Sequence, residues 1–352
     1  MMTAIVKPTA RTLIVKAIGY LQSQPVDHPE ALVDLTLPAP QAGPNDLLVR
    51  VSAVSVNPVD TKVRRNRAPQ PGQPEVLGWD AVGTVEALGA AVTGFAVGDR
   101  VYYAGAINRP GTNAELHAVD HRIVARAPAS LGDAEAAALP LTAITAWELL
   151  FDRLGVPQSG GQGQTLLVVG AAGGVGSVLV QLARQLTSLR VVGTASRADS
   201  QAWVRELGAH AVIDHSQPLR PQLVAAGVPE VEYIASLTHT EQHWADLIDA
   251  AAPQGRLGLI DDLSGPVDIM QLKRKALSLH WEMMFTRPMF GTPDIGEQGR
   301  LLARVAALVD EGRLRSTVTE RLQPINAANL RRAHALVEAG RMRGKVVLSG
   351  GF

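Results

Sequence analysis

Apolar and polar positions along this chain follow two different periods, and the change of period divides it. From Leu13 to about Val124 the apolar residues fall in short runs broken by Gly/Pro turns: LIVKAIGY, ALVDLTL, DLLVRVSAVSV, AVGTVEAL, DRVYYAG and ELHAVDHRIV. Short alternating runs bounded by turn residues mark half-buried strands. Gly43-Pro44-Asn45-Asp46, Gly94 and Gly98-Asp99 supply the turns. This half predicts a largely antiparallel barrel or sandwich, preceded by an extension over residues 1 to about 12. Near Ser130 the period lengthens. Asp133 to Leu139 is helical up to Pro140, and Thr142 to Leu154 sets Ile144, Trp147, Phe151 and Leu154 on one helical face.

The next stretch organises the rest. Leu166 to Val169 is an apolar run suited to a strand buried on both faces, glycines follow at 170, 173, 174 and 176, and Val175, Val178, Leu179, Leu182 and Leu186 then recur at helical spacing. Beyond it strand and helix patterns alternate: VVGTAS, a helix from Asp199 to Leu207, AVIDHS, VEYIAS, a helix from Thr240 to Ala251, RLGLIDD and LSLHWEMMF. Such alternation predicts a doubly wound parallel sheet. Helices at Ile295–Glu311 and Ala327–Ala339 follow, the second ending at Gly340, and GKVVL closes the chain as a strand. The expected organisation is α/β: a nucleotide-binding domain over residues 142–286, inserted into a β-rich domain made of 1–141 and 287–352.

Strand, glycine turn and helix are the context of a dinucleotide-binding fingerprint. Glycine lets the main chain approach a pyrophosphate, and the helix N-terminus offers unpaired N–H donors to it. The spacing is G-x-x-G-x-x-G, so Gly170, Gly173, Gly174, Val175 and Gly176 are cofactor-binding candidates, against a tight turn that binds nothing. At the end of the following strand, where an NAD-binding fold carries an acid for the ribose 2′-OH, stand Ser196 and Arg197. A hydroxyl and a guanidinium suit a 2′-phosphate and favour NADPH, although Asp199 lies near enough to be that acid. Valine at Gly173 or Gly176 is expected to block the cofactor and spare the fold.

Composition narrows the chemistry. The chain has 352 residues, 46% hydrophobic and 19% charged, with 33 basic and 33 acidic residues. Neither nucleic acid nor an anionic membrane is implied as a partner. With no cysteine, disulfides, thiolate catalysis and cysteine-ligated metals are excluded. The apolar run before Lys16 is too short for a signal peptide, and Pro140 interrupts the uncharged stretch from Ala136 to Trp147. A soluble, cytoplasmic protein is expected.

The chain resembles the medium-chain dehydrogenase/reductases, on their quinone oxidoreductase side and near proteins called zinc-type alcohol dehydrogenase-like. The resemblance rests on Asn57-Pro58-Val59-Asp60, Gly78-Trp79-Asp80-Ala81-Val82-Gly83, Val97-Gly98-Asp99-Arg100-Val101, Leu139-Pro140-Leu141-Thr142 with Thr145-Ala146, Gly170 to Gly176, and Gly344-Lys345-Val346-Val347-Leu348. It implies a GroES-like β domain with an inserted Rossmann domain, an active site in the cleft between them, and a homodimer paired through the strand in LSLHWEMMF. It places Asn57 near the nicotinamide, Thr145 beside the cofactor ring, and His215 and Arg343 near the adenosine phosphate, His215 departing from the family's tyrosine.

Where zinc-dependent members carry ligands, this chain has Asn57, Trp79-Asp80 and Leu141, which make no zinc shell. His117 and His121 do not converge along a strand. His239 and His243 fit no H-E-x-x-H pattern, and Thr238-x-x-Glu241 reads as a capping box. No metal is expected. Tyr102 and Tyr103 are candidate proton donors and Trp79 a candidate acceptor wall, with barrel packing as the competing reading for all three. Lys62 pairs with Asp60 or polarises a substrate oxygen. The expected activity is zinc-independent transfer of hydride from NADPH to a small-molecule acceptor, a quinone or a conjugated enal or enone. The alternatives are an NADP-dependent alcohol or aldehyde dehydrogenase and a non-catalytic nucleotide-binding protein.

Overall fold

The computed structural model describes residues 13–352, so the expected N-terminal extension lies outside the described residues. Antiparallel pairing dominates the first half. A three-stranded sheet joins Val33–Pro38, Ile14–Tyr20 and Glu75–Val76. A seven-stranded sheet is built on the long strand Asp46–Val56, which pairs with Ala81–Leu88 and Leu116–Asp120. The chain's last strand, Lys345–Ser349, returns to pair with the Ala53–Val56 end of the long strand, on the edge away from Ala81–Leu88, with Val318–Leu322 beside it.

Between these parts lies a six-stranded sheet, parallel throughout. Its order is Ala211–Ile213, Arg190–Thr194, Thr165–Val169, Val231–Ser236, Ala251–Leu259 and Ser278–Trp281. The chain fills it outward from Thr165–Val169 in both directions. That reversal makes a switch point at the carboxyl end of this strand, where open α/β sheets bind ligands. Thr165–Val169 is buried along its whole length, as its unbroken apolar run requires.

Local chemistry explains the departures from the expected elements. Pro58–Asn66 is a helix that its polar sequence hides. Asn57 sits at its N-cap, Pro58 takes the first turn, where a missing N–H costs nothing, and Asp60 accepts from the Asn57 N–H at 2.8 Å. Pro140 starts a helix, Pro140–Trp147, for the same reason, and Glu148–Arg153 continues it as a π-helix. The run Asp133–Arg153 is long and apolar enough to cross a bilayer, yet 89% of its most apolar window is buried inside the fold. The capping box expected at Thr238 does not form: His239 precedes Thr240–Ala250 in a left-handed conformation, and Glu241 turns to the Ser264 N–H at 3.0 Å. The short helices Leu219–Ala225 and Ile269–Lys275 also went unread in the pattern.

Among the buried polar groups, His334 carries a clear pH cost. His334 is fully buried in Ala327–Glu338, and neither ring nitrogen has a hydrogen-bond partner. Burial, aided by the Arg64 charge, lowers its pKa from 6.5 to about 3. The folded state therefore binds this proton more weakly than the unfolded chain. The neutral ring is tolerated above pH 6.5, and stability is lost as pH falls from there toward 3, by roughly 2 kcal/mol at pH 5. H334L should flatten that acid limb: its urea midpoint should gain on wild type between pH 7.5 and pH 5, with little difference at pH 7.5.

Candidate active-site cleft

The cleft begins at the glycine turn. Gly170 leaves the strand Thr165–Val169, Gly173 caps the helix Gly174–Leu186, and the helix N-terminus faces a cavity of about 320 Å³. The glycines have different jobs. A Cβ on Gly176 would lie 2.6 Å from the Ala171 Cα and the Gly170 carbonyl, so this residue lets the helix pack on the strand's exit. A Cβ on Gly173 would meet only the Gly170 carbonyl at 3.5 Å, and it lines the cavity. The expectation that valine at either position spares the fold is therefore corrected for Gly176. Gly174 and Val175 also line the cavity.

At the far end of the cavity wall are Thr194, Ser196, Arg197 and His215. His215 Nδ1 lies 2.8 Å from Thr194 Oγ1, and its ring is 5.8 Å from that of His243. Arg197 donates to Asp199 at 3.2 Å and to the Arg341 carbonyl at 2.8 Å. Arg343 stands outside the cavity lining, its guanidinium 3.8 Å from the other Asp199 oxygen. A carboxylate thus stands between two guanidiniums, beside the wall that Ser196 and Arg197 line. The glycine turn, the helix N-terminus and this basic rim fit a dinucleotide with its phosphates along the wall.

The inner end is made by three adjacent strands. Val346 pairs with Val56, and one step further along that ladder Lys345 reaches Asn57. Val54 pairs with Ala81, so Asp80 reaches Ser55. Gly344 makes the entry possible: its φ is +56°, and a Cβ there would meet the Thr317 carbonyl at 2.1 Å. Asp80 is fully buried and accepts from Ser55 Oγ and Asn57 Nδ2, both at 2.7 Å, the Leu141 N–H at 2.8 Å and Lys345 Nζ at 3.1 Å. Burial pulls the Lys345 ammonium down from the ordinary lysine range, with Asp80 opposing. Burial pushes Asp60, which also faces Lys345 and Asp80, up to about 7 despite its bond from Asn57.

Several expected participants lie elsewhere. Tyr102 is buried in the barrel and donates to the Leu302 carbonyl at 2.6 Å. Tyr103 stacks on His117, 3.1 Å from its Nδ1. Burial raises both phenols far above the normal range, and neither lines the cavity, so the proton-donor reading is corrected to packing. Trp79 is likewise core, donating to the Ala106 carbonyl and meeting Phe285 edge-on. Thr145 donates to the Leu141 carbonyl and stays beneath the cleft; Thr142, one turn earlier, reaches the cavity instead. Lys62 pairs with Asp262 at 2.8 Å and not with Asp60. Met342 and Ile260 line the cleft without having been singled out in the sequence, and Lys345 and Thr142, present there only as motif residues with no role, line it too.

The donors at the inner end do not fit zinc. Where Asn57, Asp80 and Leu141 converge there is one carboxylate, already receiving an amide N–H, a backbone N–H and an ammonium; a cation there meets donors. Among the described residues no group of three or more His, Asp or Glu is arranged to hold a metal.

Residues 43–129 match the alcohol dehydrogenase GroES-like domain and residues 207–348 the zinc-binding dehydrogenase family. The chain belongs to the medium-chain dehydrogenase/reductase superfamily and is an oxidoreductase of that superfamily. It is 38% identical to a zinc-type alcohol dehydrogenase-like protein of Staphylococcus aureus, over 87% of this chain and 91% of that one. It is 33% identical to a quinone oxidoreductase of Pseudomonas aeruginosa, over 91% and 96%. A crystal structure from Rhizobium etli, provisionally named a zinc-dependent alcohol dehydrogenase, is 57% identical and superposes with a TM-score of 0.92, covering 96% of this chain and 98% of that one. The GroES-like and Rossmann folds expected from the sequence are thereby established.

The two glycines now separate. G173V should weaken binding of a nicotinamide cofactor at least tenfold in fluorescence titration while leaving the melting temperature close to wild type. G176A should instead destabilise the protein by about 1–3 kcal/mol, through the clash with Ala171, as read by urea unfolding.

Proposed function

We propose that this protein is a zinc-independent, NADPH-dependent reductase of quinones or conjugated enals and enones. The observation that carries it is the ammonium of Lys345 at the point where metal ligands would have to converge. Without a Lewis acid, oxidation of a simple alcohol lacks the device that polarises its oxygen. Conjugated acceptors take hydride with less help, and the quinone oxidoreductase from Pseudomonas is a relative by name. NADPH would supply the hydride. The glycine turn, the helix N-terminus and the Arg197–Arg343 rim would hold its phosphates, while Asn57, Pro58 and Leu141 wall the acceptor and exclude water.

We place the protein in the cytoplasm as a homodimer. Support for the dimer is the unpaired edge strand Ser278–Trp281, with Trp281 on it and Met283 just after it exposed at 52% and 46%.

Purified protein should oxidise NADPH with a quinone and enone panel, keep that activity in EDTA, and carry no stoichiometric zinc. About one tightly bound zinc per chain, together with alcohol-dependent reduction of NADP⁺, would establish the alcohol dehydrogenase instead. Binding of NADPH without turnover of any acceptor would favour the non-catalytic alternative.

Cofactor choice follows from the rim. A guanidinium meeting a 2′-phosphate makes charge-assisted bonds of roughly 1.5–3 kcal/mol each, reduced by solvent at this exposed site. R197A should weaken NADPH about tenfold and leave NADH almost unchanged. D199N should act in the opposite direction, tightening NADPH, because the carboxylate occupies the guanidiniums that the phosphate needs. Titration of both cofactors against the two variants at low and high salt checks the pair.

A further inference from the structure

Lys345 spends all three N–H bonds inside the protein: on the Val56 carbonyl at 2.9 Å, on Asp80 Oδ2 at 3.1 Å and on Asn57 Oδ1. None is left for a cofactor phosphate. An ammonium only donates and a carboxylate only accepts, so the Asn57 amide has one orientation. Its oxygen faces Lys345, and its nitrogen donates to Asp80 Oδ2 at 2.7 Å. One Nδ2 proton is used there and one remains. Asn57 lines the cavity beside Pro58 and Leu141, and its own backbone is fixed by Asp60.

We propose that Lys345 is a positioning residue: with Asp80 it pins the Asn57 amide so that the remaining N–H is presented to the oxygen of the acceptor. The inference rests on the acceptor-reductase reading above. When an acceptor takes up hydride with its electron pair, negative charge grows on its oxygen, which water then protonates. A donor already oriented toward that oxygen, and polarised by a fixed cation behind it, stabilises the charge without reorganising. The charge that zinc would bring directly is brought through one amide.

The test uses the full-length protein with menadione as acceptor. K345M should lower kcat about thirtyfold to a hundredfold, the range for losing one preorganised donor or slightly less. The NADPH dissociation constant, measured without acceptor, should stay within about twofold. N57A should show a similar loss, and N57A/K345M should be no worse than the more impaired single variant, because both remove one arrangement. Crystals of K345M, with no turnover involved, should show the Asn57 amide rotated away from its wild-type position.

Because K345M leaves Asp80 buried without its counter-charge, K345M/D80N is made alongside it. This electrically neutral pair keeps the site assembled if the single variant does not fold, and it should show the same rotated amide and low kcat. An unmoved Asn57 amide in the folded variant overturns the proposal. Multiplicative losses in the cycle, or NADPH binding lost in proportion to kcat, overturn it also, the latter by making Lys345 a cofactor ligand. If wild type reduces neither menadione nor any other quinone or enone, the acceptor-reductase reading falls, while the Asn57 position in the crystals still decides whether Lys345 holds the amide.

Discussion

The buried pair of Lys345 and Asp80 is the constraint on which the cleft depends. A charge pair taken out of water rarely stabilises a fold on balance, because desolvation offsets the attraction. Losing one partner is a different matter and costs about 3–5 kcal/mol, since it strands the other charge. The two residues lie far apart in sequence: Lys345 opens one strand and Asp80 immediately precedes another, on opposite sides of Asp46–Val56. Only when both ladders are in register do the ammonium and the carboxylate meet, so the pair acts as a lock on register at the edge that faces the cavity. A slip of one residue in the last strand would turn Lys345 to the other face.

Much of the frame was readable in the chain. The glycine turn, the strands on either side of it and the helix Ala327–Glu338 followed from period and turn chemistry. The helix Pro58–Asn66 did not, because PVDTKVRRN has no apolar stripe. Its formation depends on Asn57, Pro58 and Asp60 at one end and on burial of Arg64 at the other. The phenols of Tyr102 and Tyr103 were misplaced for a related reason. Alternation along a strand says that successive side chains point to opposite faces, yet here both faces are covered, one by the barrel and one by the helix Glu297–Asp310 that brings the Leu302 carbonyl to Tyr102.

Lys345 shows where sequence reading stops. In GKVVL it reads as the polar end of a strand, and lysine is almost never buried unless paired. Its partner can be found only through the ladder that sets Lys345–Ser349 against Asp46–Val56. Thr142 and Thr145 pose a subtler problem: they are one turn apart on the same helix, and their relative heights above the cleft depend on where Pro140 starts that helix. A difference of a single turn makes Thr142, and not Thr145, the residue that lines the cavity, while its hydroxyl bonds back to the Ala138 and Leu139 carbonyls.

The two ends of the cleft use charge in opposite ways. At the inner end a cation and an anion are dry, saturated and immobile, and the site's polarity is therefore independent of the solvent's ionic strength. At the rim Asp199 sits between Arg197 and Arg343 with half its surface in water, held by loose contacts at 3.2 and 3.8 Å. Such a pair contributes little to stability and opens easily. On the NADPH reading proposed above, Asp199 would serve as a resident anion that keeps two guanidiniums gathered at the subsite and yields to a ligand whose charge exceeds its own. A 2′-phosphate, with up to two negative charges, meets that condition, and a ribose hydroxyl does not. On that reading the rim would exchange one anion for a stronger one, so that preference between the two nicotinamide cofactors would depend both on the guanidiniums and on the anion that has to leave them.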